Sequence, residues 1–158
     1  MQISAKTWNE YITRLSRLNQ KAGQLMREYI DAHGIADTDG LVAYAYGLVT
    51  KYSEGSAELA CQMYEALAEA QGVYVPAAEP AATASYGEVA RMVSATKDQN
   101  PANLPNGISR LVKRAGADTT LKNAIRDARN GHGCPMVTPA PSASRWRPMV
   151  GRRPARNC

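Results

Sequence analysis

Four cationic side chains in the stretch RLVKRAGADTTLKNAIRDA, residues 110–128, have the type and spacing to do chemistry. They are Lys113, Arg114, Lys122 and Arg126. Their chemistry would be contact with phosphate groups, as basic side chains make on nucleic acids. Charges near the end of a helix, which need no ligand, explain the same residues equally well. These cations therefore give one functional hypothesis, a helical nucleic-acid-binding module.

No catalytic constellation is recognisable in the sequence. The two histidines are His33 and His132, and no Ser/His/Asp or Cys/His pattern surrounds them. The phosphate-binding patterns GxxxxGK[ST] and GxGxxG are absent. Asp118 and Asp127 lie nine residues apart, and we interpret them as solvated charges on a helix face. We therefore expect neither an enzyme nor a bound cofactor.

The three cysteines do not suggest a metal site. Cys61, Cys134 and Cys158 are odd in number, and no pair has the spacing of metal ligands. Cys61 lies within a helical pattern, so we expect a small buried apolar residue there. The sequence predicts neither a metal site nor a disulfide framework.

The basic charge of the chain is concentrated in one segment. Residues 1–127 hold 13 Lys and Arg against 14 Asp and Glu, a net charge of −1. Residues 129–158 hold six Arg and no acid. We therefore expect no stripe of basic side chains on the surface of the folded domain. Any DNA contact through the tail would be made by its arginines. No apolar run approaches the roughly 18–20 residues of a membrane span, and MQISAKTWNE lacks the apolar core of a signal peptide.

The first element that could position these groups is a long amphipathic helix, predicted over about residues 5–32. Its apolar residues step alternately by three and four, and Gly34 marks its end. Ser4 or Thr7 can cap its start. The functional interpretation is oligomerisation or partner docking; the alternative is packing within its own domain. The candidate docking residues are Trp8, Tyr11, Leu15, Leu18, Leu25 and Tyr29.

A second long helix is predicted over about residues 39–71, capped by Asp37, Thr38 or Asp39. Gly55 lies inside it but costs only about 1 kcal/mol in a helix interior, so we expect one continuous helix. Its tyrosines could stack on bases, but core and interface positions explain them as well. These tyrosines are Tyr44, Tyr46, Tyr52 and Tyr64.

Two shorter helices follow an Ala/Pro connector. They are predicted over about residues 86–97 and 107–127, the second capped by Asn106, with an extended loop over 98–107 between them. Val73–Val75 is expected to add a short strand. The predicted fold is therefore mainly α, with the two long helices antiparallel.

The stretch LVKRAGADTTLKNAIRD, preceded by NGISR, resembles the phage minor head proteins of the Mu F-like type. The helix sequence YSEGSAELACQMYEALAEAQGV is similar to the second helix of that family. The resemblance covers about residues 5–127 and is most specific over 39–75 and 104–127. It implies a structural role in head morphogenesis near the portal, with portal and major capsid proteins as partners. It also implies a place in the virion, after assembly in the host cytoplasm.

The sequence departs from that family after about residue 128. The family continues with a Cys-x-x-Cys pair in a pattern like DTCAFC, whereas residues 129–158 are rich in Arg and Pro and predict a disordered tail. A shifted reading frame explains the departure, because suitable third bases across Thr138–Ala143 encode Thr-Cys-Ala-Phe-Cys. The alternative is an authentic Arg/Pro-rich tail. The coding DNA decides between them: codons unable to spell TGCGCCTTCTGC across their boundaries would exclude the shift.

Two functional hypotheses follow from these observations. The first is a phage minor head protein with a helical domain over 1–128, followed by a tail over 129–158. The second is the nucleic-acid-binding module, which would use the arginine-rich tail and the cations between Lys113 and Arg126. The domain is expected to bind no metal, and it could also form a homo-oligomer through its first helix.

Overall fold

The computed structural model describes residues 4–131, which fold into four α-helices and one short 3-10 turn. The part of the chain it describes contains no β-strand, so the predicted mainly α fold is confirmed and the predicted strand at Val73–Val75 is wrong. The expected disorder of the tail falls on residues outside the described range from 132 onward. The helices are α1 (Ala5–His33), α2 (Thr38–Ala70), α3 (Tyr86–Gln99) and α4 (Leu104–Arg129), with the turn at Pro101–Asn103.

The first two helices begin and end where local chemistry predicts. The Ser4 hydroxyl accepts a hydrogen bond from the Thr7 amide at 3.2 Å, and the Asp37 carboxylate accepts one from the Gly40 amide at 3.1 Å. Each side chain thereby satisfies a backbone donor that the first helical turn leaves free. Gly34 ends α1 with a φ of 72°, a conformation that glycine adopts without steric cost.

Helices α1 and α2 form an antiparallel pair across the short turn between His33 and Thr38. The Tyr29 ring of α1 stacks on the Tyr44 ring of α2, with 4.1 Å between centroids. Further from the turn, Leu18 lies beside Gly55. Helix α2 continues through Gly55 without a break, as the sequence predicts, because the apolar face resumes on its far side.

Helix α4 begins earlier than the sequence predicts. Its first residue is Leu104, Pro105 occupies the first turn, and Asn106, expected to be the cap, lies inside the helix. Proline is tolerated there because the first turn of a helix leaves its amides unpaired in any case. Pro101 likewise starts the 3-10 turn. The extended loop predicted over 98–107 is therefore wrong.

The apolar core lies where the C-terminal half of α1, the N-terminal half of α2, α3 and the start of α4 meet. Burying such side chains contributes roughly 1.5–3 kcal/mol each, which is the main source of stability for helices of this length. The core therefore fixes one end of the bundle most firmly. Its largest fully buried apolar members are Met26, Leu41, Val49, Val89, Val93, Leu104, Ile108 and Val112.

Helix α4 approaches both long helices closely through glycine. A Cβ atom on Gly116 would lie 2.8 Å from the Ser56 hydroxyl of α2. A Cβ atom on Gly23 of α1 would lie 2.6 Å from the Ser109 hydroxyl and 3.2 Å from the Pro105 carbonyl oxygen. Real Cβ atoms do not approach so closely, so the backbone separation at these crossings depends on the absence of side chains.

Candidate partner-binding surface

The structure divides the predicted docking seam of α1 into two parts. Leu25 and Tyr29 pack against the core, and Tyr29 also stacks on His33 at 4.5 Å between centroids. This half of α1 therefore packs within its own domain. The other half leaves its apolar side chains partly exposed, with Ile12 beside them 43% exposed. The partly exposed members of the predicted set are Trp8, Tyr11, Leu15 and Leu18.

An open groove of about 680 Å³ lies between α1 and α2, beside the exposed half of the seam. Its apolar side chains are Leu18 from α1 and Tyr52 and Leu59 from α2. Three cations line it, and no carboxylate does. The remaining lining residues are Arg14, Arg17, Gln20, Lys21 and Gln24. We name this feature the α1–α2 groove.

The α1–α2 groove contains a cationic cluster that the sequence analysis did not predict. Arg14, Arg17 and Lys21 are spaced by three and four residues, which places them on one side of a helix. Averaging the charge over residues 1–127 conceals this cluster, because α2 carries compensating acids on another face. The spacing within α1 was the signal that could have identified this cluster. Three cations in one groove are not a basic stripe along the folded surface, so the expectation of no such stripe stays a prediction.

The predicted phosphate contacts on α4 are mostly engaged within the chain. Arg114 forms an ion pair with Glu88 at 2.6 Å, and the hydrogen bond between them raises the pKa of Arg114 and lowers that of Glu88. Lys122 donates to the Pro80 carbonyl oxygen at 3.2 Å. Lys113 is exposed. These contacts keep the guanidinium of Arg114 and the amine of Lys122 close to the surface of their own domain.

Arg126 and Asp127 belong to a polar network that is largely buried. Two guanidinium nitrogens of Arg126 lie 2.8 and 3.2 Å from the two carboxylate oxygens of Asp127, and this pairing raises the pKa of Arg126. The Tyr64 hydroxyl of α2 donates to the same carboxylate at 2.7 Å. Asp127 has no exposed surface, so its interpretation as a solvated helix-face charge is wrong. The network joins the end of α4 to α2.

The connector between α2 and α3 lies along α4 and is held by side chains of that helix. The Asn123 amide donates to the Glu79 carbonyl and accepts from the Glu79 amide, each at 2.9 Å. Thr119 accepts from the Ala81 amide at 3.0 Å. Arg126 donates to two further connector carbonyls, those of residues 76 and 77, at 3.1 and 2.8 Å. These side chains thus provide the hydrogen-bond partners that an adjacent strand would provide to an extended segment in a sheet.

The outer face of α4 exposes two large apolar side chains next to each other. Leu121 is 58% exposed and Ile125 is 41% exposed. They are four residues apart and so adjacent on the helix surface. Both side chains lie on a side of α4 that turns away from the core. They form a second apolar surface, separate from the residues that line the α1–α2 groove.

The tyrosines of α2 pack within the protein. Tyr64 is buried, and Tyr44 stacks on α1 as described above. The Tyr46 ring meets the Tyr86 ring of α3 edge-on, with 5.2 Å between centroids. Tyr52 packs partly against the core while contributing to the groove. Core and interface packing therefore accounts for these side chains.

Cys61 is buried in α2, as predicted. Burial, with the neighbouring carboxylates of Glu58 and Glu65, raises the pKa of its thiol, which keeps it protonated and unreactive. Within residues 4–131, no group of three or more His, Cys, Asp or Glu side chains is arranged to hold a metal ion. Cys134 and Cys158 lie outside the described residues. No described helix combines the length and apolar character needed to cross a bilayer.

The model of the VG15 protein family matches residues 2–137. The chain therefore belongs to the VG15 protein family, a phage-type family, and is a phage protein. The match continues past residue 128, where the sequence analysis placed a boundary, and that division of the chain remains a prediction. Neither the comparison with curated proteins nor that with solved structures finds a match.

Proposed function

We propose that this phage protein is a structural minor head protein that acts in capsid assembly near the portal, without catalysis. The observation that carries the proposal is the half of α1 that its own domain leaves uncovered, next to the α1–α2 groove. Partly exposed apolar side chains in a contiguous patch are typical of surfaces that bind other proteins. Membership of the VG15 family supports a role in a phage. The resemblance of residues 39–75 and 104–127 to the minor head proteins of the Mu F-like type supports a role in the phage head.

The portal and major capsid proteins are the proposed partners. A helical domain with one well-packed end and one end with partly exposed apolar residues suits a role as a bound component of a larger assembly. The packed end supplies independent stability, and the other end supplies apolar area that binding would remove from water. In this proposal the protein is present in the virion, after a stage in the host cytoplasm.

The nucleic-acid-binding alternative receives less support from the described residues. Arg114, Lys122 and Arg126 already contact groups within the domain, so phosphate binding would have to compete with those contacts. Almost all of the arginine-rich tail over residues 129–158, on which that alternative also depends, lies outside the described residues. A DNA mobility shift that weakens with salt and disappears on deletion of residues 129–158 would favour it.

The test is the fate of the protein during phage assembly. We expect quantitative mass spectrometry to find the chain in purified heads, and chemical crosslinking to join it to the portal or major capsid protein. Disruption of its gene is expected to reduce the yield of normal heads in electron micrographs, and expression from a plasmid should restore that yield. A chain that is absent from purified heads, with normal head yield after disruption, would contradict the proposal.

A further inference from the structure

The α1–α2 groove combines apolar and cationic groups, unlike the other polar surfaces described above. Leu18, Tyr52 and Leu59 supply the apolar area, and the lining includes no carboxylate. None of the three lining cations forms an ion pair with another residue in the described range. The cations are therefore available to a ligand, in contrast to Arg114 and Lys122.

The dimensions of the groove suit a short helix. Its lining on α1 runs from Arg14 to Gln24, a distance of about 15 Å at a rise of about 1.5 Å per residue. The groove is bounded by two antiparallel helices, and a third helix laid between them would extend the bundle by the packing that already joins α1 and α2. Leu18 of the groove lies beside Gly55 of α2, where a Cβ atom would be 3.4 Å from it.

The charge of the groove defines the chemistry of its occupant. A helix that covers the three apolar residues needs an apolar stripe, and one that pairs with Arg14, Arg17 and Lys21 needs carboxylates beside that stripe. Charge alone does not suffice, because exposed ion pairs contribute little each and are screened by salt. The occupant must therefore supply both features.

A second copy of this chain would supply the negative charge that the groove requires, but not the exposed apolar side chains. The outer face of α2 carries exposed Glu54, Glu58, Glu65 and Glu69, and no cation occurs between residues 52 and 71. Cys61, between these acids, is buried. Beside these acids α2 is apolar mainly at Tyr52, Leu59 and Met63, which are only partly exposed, and the first two line the groove itself. An acidic amphipathic helix of another protein meets both requirements.

We propose that the α1–α2 groove binds an acidic amphipathic helix of a partner protein, by apolar contact with Leu18, Tyr52 and Leu59 and by ion pairs with the three cations. This proposal deepens the proposed function, on which it rests, by naming the chemistry of the partner segment. In a helix that binds in a groove, the apolar anchor residues recur at spacings of three, four and seven residues along that helix. The flanking carboxylates set orientation and exclude basic helices.

The test uses the full chain and synthetic peptides. The probe is a fluorescent helical peptide of about 14 residues, long enough at about 1.5 Å per residue to span the groove, with leucines on one face and glutamates on both flanks. One control peptide has lysine in place of glutamate, and another has serine in place of leucine. Fluorescence anisotropy is expected to show that the acidic leucine peptide binds at least about tenfold more tightly than either control.

Two triple variants with the same change in charge separate the groove from general electrostatics. The groove variant is Arg14→Glu, Arg17→Glu and Lys21→Glu. We expect it to weaken binding of the acidic peptide by at least about tenfold, and the control variant to change binding by less than about threefold. All six positions are exposed, so both variants should keep the circular dichroism of the parent. The control variant is Arg27→Glu, Arg110→Glu and Lys113→Glu.

A single apolar variant gives an independent measurement should the groove variant fail to fold. Leu59→Gln removes apolar contact but leaves the cations in place. We expect it to weaken binding of the acidic peptide several-fold. Equal binding of all three peptides, or equal loss in the two triple variants, would overturn the proposal. So would sedimentation showing that the groove variant abolishes self-association, or duplex DNA binding that requires the groove cations while the peptide does not bind.

Incorporation into phage heads separates this inference from the proposed function. The groove variant is expected to be depleted from purified heads relative to the control variant. If both variants enter heads as the parent does, the groove is not the partner contact although the structural role stands. If the parent itself is absent from heads, the proposed function fails, and the peptide measurements then report the chemistry of the groove alone.

Discussion

Replacing Asp127 with alanine is expected to lower the free energy of unfolding by about 3 kcal/mol. The substitution removes the carboxylate that accepts hydrogen bonds from Tyr64 and Arg126. Tyr64 is almost fully buried, so its hydroxyl would lose that partner in the interior. The loss of a buried acceptor costs more than the bond itself contributes, because the donor was desolvated during folding.

The matched control is Asp118→Ala, on the same helix. Asp118 is half exposed and its carboxylate lies 3.7 Å from Arg114, so its removal should change stability by less than about 0.5 kcal/mol. Chemical denaturation followed by circular dichroism measures both variants. Equal stability of the two would show that the network around Asp127 contributes little, and the contact between the end of α4 and α2 would then have another origin.

The second large effect is expected at Gly116. Replacement with valine should lower the free energy of unfolding by about 2–3 kcal/mol, the usual cost of overpacking. Even a Cβ atom there would lie 2.8 Å from the Ser56 hydroxyl and 3.4 Å from the Ser56 carbonyl oxygen. The hydroxyl can rotate away, but the branched side chain would still meet the backbone of α2. Helices α2 and α4 would have to separate.

Gly47→Val provides the control for Gly116. Gly47 also lies inside a long helix, but a Cβ atom there meets nothing within 4 Å. Valine should therefore change stability by less than about 0.5 kcal/mol at this position, since only helix propensity differs. Thermal unfolding measured on both variants compares the two positions directly. A destabilised Gly47→Val would indicate that the cost arises from valine in a helix rather than from the crossing.

Local patterns predicted the helices because their determinants are local. Gly34, Asp37 and the apolar spacing of α1 act within one or two helical turns, so the ends of the long helices were found to within one residue. The start of α4 was missed because Pro105 reads as a helix breaker in a sequence. Its place in the first turn depends on the preceding 3-10 turn, which short patterns do not reveal.

The polar contacts could not be predicted because their partners are far apart in the chain. Asp127 is buried by Tyr64, which precedes it by 63 residues, and by the arrangement of the connector. A charged residue near the end of a helix is usually solvated, so the periodicity of α4 favoured the wrong interpretation. The groove cations were visible in the spacing of α1. Their separation from the acids of α2 depended on how the two helices face each other.

The hold of α4 on the connector bears on where the chain can be lengthened. Irregular segments usually accept insertions, but Asn123 and Thr119 fix the backbone of Glu79 and Ala81 at set positions along the helix. One extra residue between these positions would move the amides out of reach. The turn after His33 is also held, because the Gly34 amide donates to the Ile30 carbonyl, Asp37 caps α2 and Ile35 packs against the core. An epitope tag or a fluorophore is therefore poorly placed in either segment.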